Sequence, residues 1–357
     1  MASYALEFAP FLIKQWDYLK LIAWFSEEKR DLPWRQTVDP YAIWISEVML
    51  QQTQVAVVIP YFLNWMQRFP TIRLLAEASL DEVIKAWEGL GYYSRVRHLH
   101  EAAKVLVEDF NGQIPQEEEH LKKIKGLGPY TIGAILSFAF HQKKAAVDGN
   151  VIRVLTRYFG LEDDIAKPST VNKLREFAQA LLPDEEPWIV NEALIELGAT
   201  ICQRKARCQA CPLRSSCMSF KKGIVEQLPI KSKKTTLEYL YRSVAVIQCN
   251  SAYLVKRGKK GSVMSDLYEF PYFDTAKESF MPPQLQKQIE ECFALQVVQK
   301  QILPEISHHF TRYQVRLYPI LFACQYPKIV DGLEWLPHES LKKLAFSSGH
   351  RRIFQQL

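Results

Sequence analysis

The sequence predicts a multidomain protein in which a long helical region precedes a smaller domain of mixed helices and strands. In the first part, apolar residues recur at helical spacing. A polar, basic stretch follows, and beyond it β-branched and aromatic residues alternate as they do in strands. A hydrophobic fraction of 48% is enough to form a core in each part. We therefore expect an all-α region at 1–220, a linker at 221–236 and an α+β domain at 237–357.

The helical region has recognisable helix starts. Asp39 is expected to cap a helix in which Pro40 takes the first position, because proline has no N–H to lose there. In that helix Ile43, Glu47 and Leu50 fall on one face. Similar patterns predict further helices at Asp81–Glu88, Val96–Phe110, Tyr130–Phe140, Val151–Tyr158, Val171–Leu181 and Trp188–Leu197.

A hairpin between two helices is predicted at about 121–140. It contains the run Gly126-Leu127-Gly128-Pro129, in which Gly126 and Gly128 are expected to take positive φ and let another molecule approach the backbone closely. The N–H groups at the start of the following helix favour a phosphate. The pattern indicates a helix-hairpin-helix that binds a DNA backbone; the alternative is a tight helix–helix connection with a glycine C-cap.

The α+β domain follows the linker, whose residues include Lys-Ser-Lys-Lys-Thr-Thr at 231–236. Strands are predicted at Arg242–Gln248, Tyr253–Lys256 and Val315–Phe322, and helices near Pro283–Phe293 and at Ser340–Ala345.

Bulk properties narrow the class of protein. A net charge of +6 is compatible with a nucleic-acid partner. Charged residues interrupt the early apolar positions, so a signal peptide is not expected, and no uncharged run is long enough to span a bilayer. We expect a monomer without a membrane partner, located in a bacterial cytoplasm at the nucleoid.

Two carboxylates are the candidate catalytic residues. Glu47 shares its face with apolar residues, so burial should raise its pKa and make it a general acid; the alternative is a partner for Arg35. Asp148 should cap the helix beginning near Val151 and stay ionised beside the helix N–H groups. A carboxylic acid and a carboxylate with separated pKa values are the pair that cleaves glycosidic bonds.

Four of the seven cysteines lie close together. Cys202, Cys208, Cys211 and Cys217 have the spacing of ligands to one metal centre, and basic residues lie among them. The spacing leaves zinc and a 4Fe-4S cluster open.

These motifs occur together and in order, with Ser46–Val55, Leu32–Arg35, Gly89–Tyr93 and Val147–Asn150 among them. Together they resemble MutY-type adenine DNA glycosylases of the endonuclease III superfamily. The resemblance implies a helix-hairpin-helix glycosylase core with a 4Fe-4S loop at 202–217 and a C-terminal Nudix-like domain that recognises 8-oxoguanine. It implies removal of adenine mispaired with 8-oxoguanine or guanine in double-stranded DNA.

The resemblance also implies roles for individual residues. Glu47 would protonate adenine and Asp148 would stabilise the sugar cation, with Asn150 and Tyr130 positioning both. Bifunctional relatives carry a lysine nucleophile where this chain has Tyr130, so the resemblance implies a monofunctional enzyme. DNA contacts are implied for Arg35, Gln52, Tyr92, Gly126 and Gly128.

Two positions depart from the family pattern. The first two cysteines are separated by five residues where the family usually has six. The 8-oxoguanine recognition loop, typically Phe-Ser-His, corresponds to Phe310, Thr311 and Arg312, so a cation replaces an imidazole.

Three other functions remain possible from the sequence. One is a bifunctional pyrimidine-lesion glycosylase and lyase of the same superfamily, which Tyr130 disfavours. Another is a non-enzymatic DNA-binding protein with a redox-sensing cluster, which the Glu47 and Asp148 pair disfavours. The third is a Nudix hydrolase, disfavoured because Gln286–Glu291 lacks the glycine and full acidic set of a magnesium-binding Nudix helix.

Overall fold

The computed structural model describes residues 16–232, 236–259, 261–262, 264–277, 281–310 and 312–357. They form two compact units. The first unit contains the described residues up to Glu77 and those from His98 to Ser232. The second contains Ala78–Arg97 and the described residues from Thr236 onward. Among the helices in these ranges, none is long and apolar enough to cross a bilayer.

The helices are, in chain order, α1 (Tyr18–Glu28), α2 (Pro40–Leu50), α3 (Val55–Arg68), α4 (Ile72–Glu77), α5 (Leu80–Trp87), α6 (Ser94–Phe110), α7 (Glu118–Leu121), α8 (Pro129–Ala134), α9 (Gly149–Phe159), α10 (Pro168–Leu181), α11 (Pro187–Thr200), α12 (Met218–Lys222), α13 (Pro282–Phe293), α14 (His338–Lys343) and α15 (Ser348–Phe354). A π-helical turn, Ile135–Ala139, continues α8. Short 3-10 turns occur at Pro33–Arg35, Cys208–Ala210 and Val225–Gln227.

Helix α2 begins as the sequence predicts. The Asp39 carboxylate accepts hydrogen bonds from the backbone N–H groups of Tyr41 and Ala42, and Pro40 takes the first position. Every residue from Tyr41 to Met49 is buried, so α2 is a core helix rather than a surface one. Glu47 is therefore carried into the interior of the first unit.

The hairpin before α8 differs from the prediction at one glycine. Gly126 has φ +97°, and a Cβ there would lie 2.7 Å from Cβ of His98, so only glycine fits. Gly128 has φ −82° in extended backbone and is the N-cap of α8. The expectation of positive φ at Gly128 is wrong, because a residue that precedes proline and starts a helix takes extended backbone.

The first unit has a core that joins helices from distant parts of the chain. Leu21 of α1, Leu155 of α9, Phe177 of α10 and Leu194 of α11 are buried in one cluster, and three of the four clustered cysteines pack against it. Burial of this cluster fixes α9 beside α11.

The second unit contains a mixed sheet with helices on both faces. Its strands are β1 (Glu238–Cys249), β2 (Ala252–Arg257), β3 (Tyr268–Glu269), β4 (Tyr272–Thr275), β5 (Val297–Ile302), β6 (Ile306–Phe310), β7 (Tyr313–Cys324) and β8 (Glu334–Pro337). The order along the sheet is β3-β2-β1-β7-β5, with β4 pairing β1, β6 pairing β7 and β8 pairing β2. Strands β1 and β7 are parallel, whereas the other pairs are antiparallel.

Alternating side chains of β1 face two separate cores. Val244 and Val246 join the cluster that includes Leu341 of α14 and Ile353 of α15. Ala245 and Ile247 join the opposite cluster, which includes Leu285 and Ile289 of α13.

Two parts of the chain lie differently from the predicted organisation. Helix α5 belongs to the second unit, where Asp81 pairs with Arg257 at 2.5 Å and Glu88 pairs with Arg351 at 2.7 Å. The predicted linker begins within α12, and the backbone N–H of Ile165 donates to the Ile230 carbonyl at 2.9 Å. The residues up to Ser232 are thus hydrogen-bonded to the first unit.

Candidate active site

A cavity of about 1140 Å³ in the first unit contains the predicted catalytic residues. It is lined by α2, by the segment that starts with α8, by the beginning of α9 and by one face of α11. Glu47, Tyr130, Asp148 and Asn150 all line it, so the structure brings together residues that are more than a hundred positions apart in the sequence. No lysine is found among the described residues that line the cavity.

Glu47 is buried and held by Tyr130, whose hydroxyl donates a hydrogen bond to Glu47 Oε2. Burial raises the pKa of Glu47 from 4.5 to about 7; the Tyr130 hydrogen bond opposes this rise, and the nearby Asp148 charge adds to it. The prediction of a glutamate with a raised pKa is confirmed. Near neutral pH Glu47 has a substantial protonated fraction, as a general acid requires.

Asp148 caps α9, as predicted. Its Oδ1 accepts the Val151 N–H at 2.8 Å and its Oδ2 accepts the Asn150 side-chain N–H at 2.7 Å. Arg153 donates to Asn150 Oδ1 at 2.7 Å and so fixes the amide. Burial nevertheless raises the pKa of Asp148 above 3.8, and these hydrogen bonds only partly oppose it. The capping motif predicts that Asp148 stays ionised by having a low pKa; the expected low pKa is wrong, because desolvation outweighs the hydrogen bonds of the cap.

An ion-pair network that the sequence did not predict lies beside these groups. Arg35 Nε is 3.3 Å from Glu192 Oε2, and Arg35 Nη2 is 2.8 Å from Glu196 Oε2. Arg30 Nε is 2.6 Å from Glu196 Oε1. Arg35 is therefore paired with these two glutamates and not with Glu47, and it contributes to the cavity wall.

The pKa values of the two glutamates of this network shift in opposite directions. Burial raises the pKa of Glu192 although Arg35 opposes it. Burial also raises the pKa of Glu196, but the hydrogen bond from Arg30 and the charge of Arg35 outweigh it, so the net change is downward. The spacing of Trp188, Glu192 and Glu196 on one face of α11 was the available sequence signal.

The residues predicted to contact DNA are divided between the first and the second unit. Gln52 lines the cavity and has φ 59°, whereas Tyr92 belongs to the second unit, has φ 47° and is 43% exposed. A positive φ in a residue other than glycine is strained and occurs often at functional sites. Gly126 and Gly128 lie in the hairpin before α8.

The predicted recognition residues lie at the turn between β6 and β7. Phe310 packs against Tyr313 with ring centroids 5.3 Å apart. Arg312 is exposed; its Nε lies 3.0 Å from Glu238 Oε1 and its guanidinium lies over the Tyr313 ring. Thr311 lies outside the described residues.

The four clustered cysteines surround one small cavity of the first unit, and none of them forms a disulfide. No three His, Cys, Asp or Glu side chains in the described part of the chain are arranged to hold a single metal ion. Arg157, which is buried, donates to Cys202 Sγ at 3.5 Å and to the Gln203 carbonyl at 2.6 Å. Four thiols around a shared space, with a buried cation beside them, are the donor set of an anionic thiolate-ligated metal centre, either a zinc ion or a multi-iron cluster.

The residues of the cavity can therefore support acid-assisted cleavage of a glycosidic bond, with a carboxylate nearby to stabilise the resulting cation. Glu47 can donate a proton to a leaving group, and Asp148, once ionised, can stabilise positive charge on a sugar.

Known proteins are similar to this chain in both of its parts. Residues 45–180 match the HhH-GPD superfamily of base excision DNA repair proteins, and residues 243–356 match the NUDIX domain. An adenine DNA glycosylase of Rattus norvegicus is 33% identical over 396 residues, covering 94% of this chain and 76% of the relative. One from Buchnera aphidicola subsp. Baizongia pistaciae is 36% identical over 260 residues, covering 72% of this chain and 73% of the relative.

Two solved structures share the fold of the helical region. A thermostable thymine-DNA glycosylase matches with a TM-score of 0.53 and 26% identity, over 60% of this chain and 98% of its own. Endonuclease III trapped in a covalent intermediate with DNA matches with a TM-score of 0.51 and 22% identity, over 63% of this chain and all of its own (100%).

Proposed function

Because the chain belongs to the adenine DNA glycosylase family, we propose that it hydrolyses the bond between adenine and deoxyribose where adenine is mispaired with 8-oxoguanine or guanine in duplex DNA. The protein is a DNA N-glycosylase of base excision repair with a helical core and a Nudix-like domain. The observation that carries the proposal is the cavity in which Glu47, Tyr130 and Asp148 lie together.

Each residue has a distinct task in the proposed reaction. The adenine nucleotide must leave the base stack to enter the cavity, because the glycosidic bond is inaccessible inside a duplex. Protonated Glu47 transfers its proton to the adenine ring, and the C–N bond breaks with its electron pair going to the base. The sugar is left as an oxocarbenium-like cation, which ionised Asp148 stabilises. Glu47, now a carboxylate, accepts a proton from the attacking water.

The enzyme is proposed to be monofunctional. Tyr130 occupies the position at which the resemblance implies a lysine in bifunctional relatives, and the described cavity lining contains no lysine. A tyrosine hydroxyl cannot form a Schiff base with the sugar. The product is therefore an abasic site with an intact backbone.

The cofactor is proposed to be a 4Fe-4S cluster held by Cys202, Cys208, Cys211 and Cys217. The shared cavity and the Arg157 guanidinium support it despite the short spacing between the first two cysteines. When bound, the cluster would cross-link a basic loop suited to phosphate contact.

Recognition of the base opposite adenine is proposed for the turn with Phe310, Thr311 and Arg312, in a protein that acts as a monomer. Arg312 supplies a cation where an imidazole is typical of the family. Its partner Glu238 is exposed, so an approaching nucleic acid can replace that ion pair at little cost.

The test is an excision assay on four duplexes, with adenine opposite 8-oxoguanine, adenine opposite guanine, adenine opposite thymine, or thymine glycol opposite adenine. Half of each reaction is treated with alkali. We expect strand cleavage only after alkali and only at the adenine of the first two duplexes. Excision of thymine glycol, or cleavage without alkali together with borohydride trapping, would support the pyrimidine-lesion glycosylase and lyase instead.

A further inference from the structure

The cavity of the first unit extends well beyond the two catalytic carboxylates. Gly198 of α11 lies against Asn150, since a Cβ at Gly198 would be 2.6 Å from Cβ of Asn150. Trp188 lines the same cavity ten residues earlier on α11. At 1.5 Å per residue these two ends of the helix are about 15 Å apart. An adenine still joined to its sugar beside Asp148 is too short to span that distance.

The far end of the cavity is formed by two stacked rings. His141 and Trp188 have ring centroids 4.1 Å apart and an interplanar angle of 22°. Trp188 is half-buried and His141 is exposed, so the stack lies where the cavity reaches solvent. His141 has φ 53°, a left-handed conformation that disfavours side chains other than glycine. Side chains on a backbone in this unfavourable conformation cluster at functional sites, so the His141 ring is a candidate functional group.

The end of the cavity formed by His141 is separated in sequence from the hairpin that is proposed to bind DNA. Tyr130 stands in the first turn after the hairpin, and His141 follows eleven residues later, past the π-helical turn. Phe138 lines the cavity between them. The cavity therefore runs from the hairpin end of this segment to the His141 end.

Glu192 lies between the catalytic end and the stack. It follows Trp188 by one helical turn on the same face of α11, and the electrostatic influence of His141 reaches it. A carboxyl group beside an aromatic surface is suited to a flat base that carries an exocyclic amine, because the amine donates hydrogen bonds and the ring stacks.

We infer that the stack of His141 and Trp188 is a second purine-binding subsite, which holds the free adenine base after the glycosidic bond is cleaved. The inference rests on the proposed function for the identity of the base. Adenine passes along α11 by way of Glu192 and leaves at the end remote from the hairpin. No covalent step is added, since the base is already free when it reaches the stack.

The test measures binding of adenine alone to the full-length, DNA-free protein by equilibrium dialysis with radiolabelled adenine. Trp188→Ala should weaken binding roughly 5- to 150-fold, the range expected for loss of one base–aromatic stack. Trp188→Phe should stay within about 3-fold of the wild type, since it keeps an aromatic face. His141→Gly should also weaken binding while keeping the melting temperature, because glycine accepts the left-handed backbone without strain.

Two further variants serve as controls for the backbone angle and for catalysis. Asn111→Gly relieves a similar backbone angle, φ 52°, but Asn111 does not line the cavity, so adenine affinity should be unchanged. Glu47→Gln should lose excision yet bind adenine as the wild type does, so failure of catalysis and failure of the subsite are distinguished.

The inference is overturned if the wild type shows no saturable adenine binding, or if Trp188→Ala and His141→Gly bind adenine as tightly as the wild type. Loss of binding in Glu47→Gln would also overturn it, since adenine would then be held at the catalytic end.

Discussion

Glu47 makes the free energy of unfolding depend on pH, and Glu47→Gln should remove that dependence. Burial raises the pKa of Glu47 from 4.5 to about 7 in the folded protein. Between these values the unfolded chain releases the proton while the folded chain keeps it, so stability falls as pH rises. At about 1.36 kcal/mol per pKa unit, the loss attributable to Glu47 is about 3 kcal/mol and is complete above pH ~7.

The measurement is urea unfolding of the wild type and Glu47→Gln at about pH 5 and about pH 8. Glutamine keeps an oxygen that can accept the Tyr130 hydroxyl but carries no charge. Relative to the wild type, the variant should gain about 2.5 kcal/mol between the two pH values, the part of the loss that falls within this window. Glu28→Gln removes an exposed carboxylate from the same unit and controls for the change in net charge.

The reasoning is refuted if the difference in unfolding free energy between the wild type and Glu47→Gln is the same at both pH values. Such a result would mean that Glu47 is ionised equally in the folded and unfolded states. Burial would then not control its protonation.

Three further changes test the site. Tyr130→Phe removes the hydrogen bond that lowers the pKa of Glu47. Because a hydrogen bond to a charged group contributes about 1.5–3 kcal/mol, the alkaline limb of the pH–rate profile should move up by about one to two pH units. An alkaline limb at the wild-type position would contradict this role of Tyr130. Asp148→Asn should bind the mismatched duplex but lower the single-turnover excision rate roughly 100-fold or more, and full activity would remove Asp148 from the mechanism. Cys211→Ser should lower the iron content and the visible absorption of the purified protein, while an unchanged spectrum would show that Cys211 is not a ligand.

Local chemistry was well predicted from the sequence where neighbouring residues determine it. Asp39 and Pro40 start α2, and the apolar face around Glu47 correctly indicated burial and a raised pKa. The Asp148 cap was also predictable from three adjacent residues. The broad division into a helical core and a Nudix-like domain is confirmed as well.

Features that depend on distant parts of the chain were not predictable in the same way. The pKa of Asp148 is controlled by burial beneath other helices, which the capping motif does not reveal. Glu192 and Glu196 belong to the ion-pair network of the site because both pair with Arg35, which is more than 150 positions away in the sequence. Likewise, the stack of His141 and Trp188 joins two segments that have no shared local pattern.

Because helix α5 belongs to the second unit, that unit is discontinuous in sequence and cannot be separated from the first by a single cut in the chain. The chain enters that unit at Ala78, leaves it after Arg97 and returns beyond the linker. A C-terminal deletion at the linker would remove the Arg351 partner of Glu88 and the Leu344 carbonyl that Lys85 contacts at 3.0 Å. The N-terminal 220 residues are therefore not a self-contained module, and gene fusions or truncations that keep folding units intact must treat Ala78–Arg97 as part of the C-terminal domain.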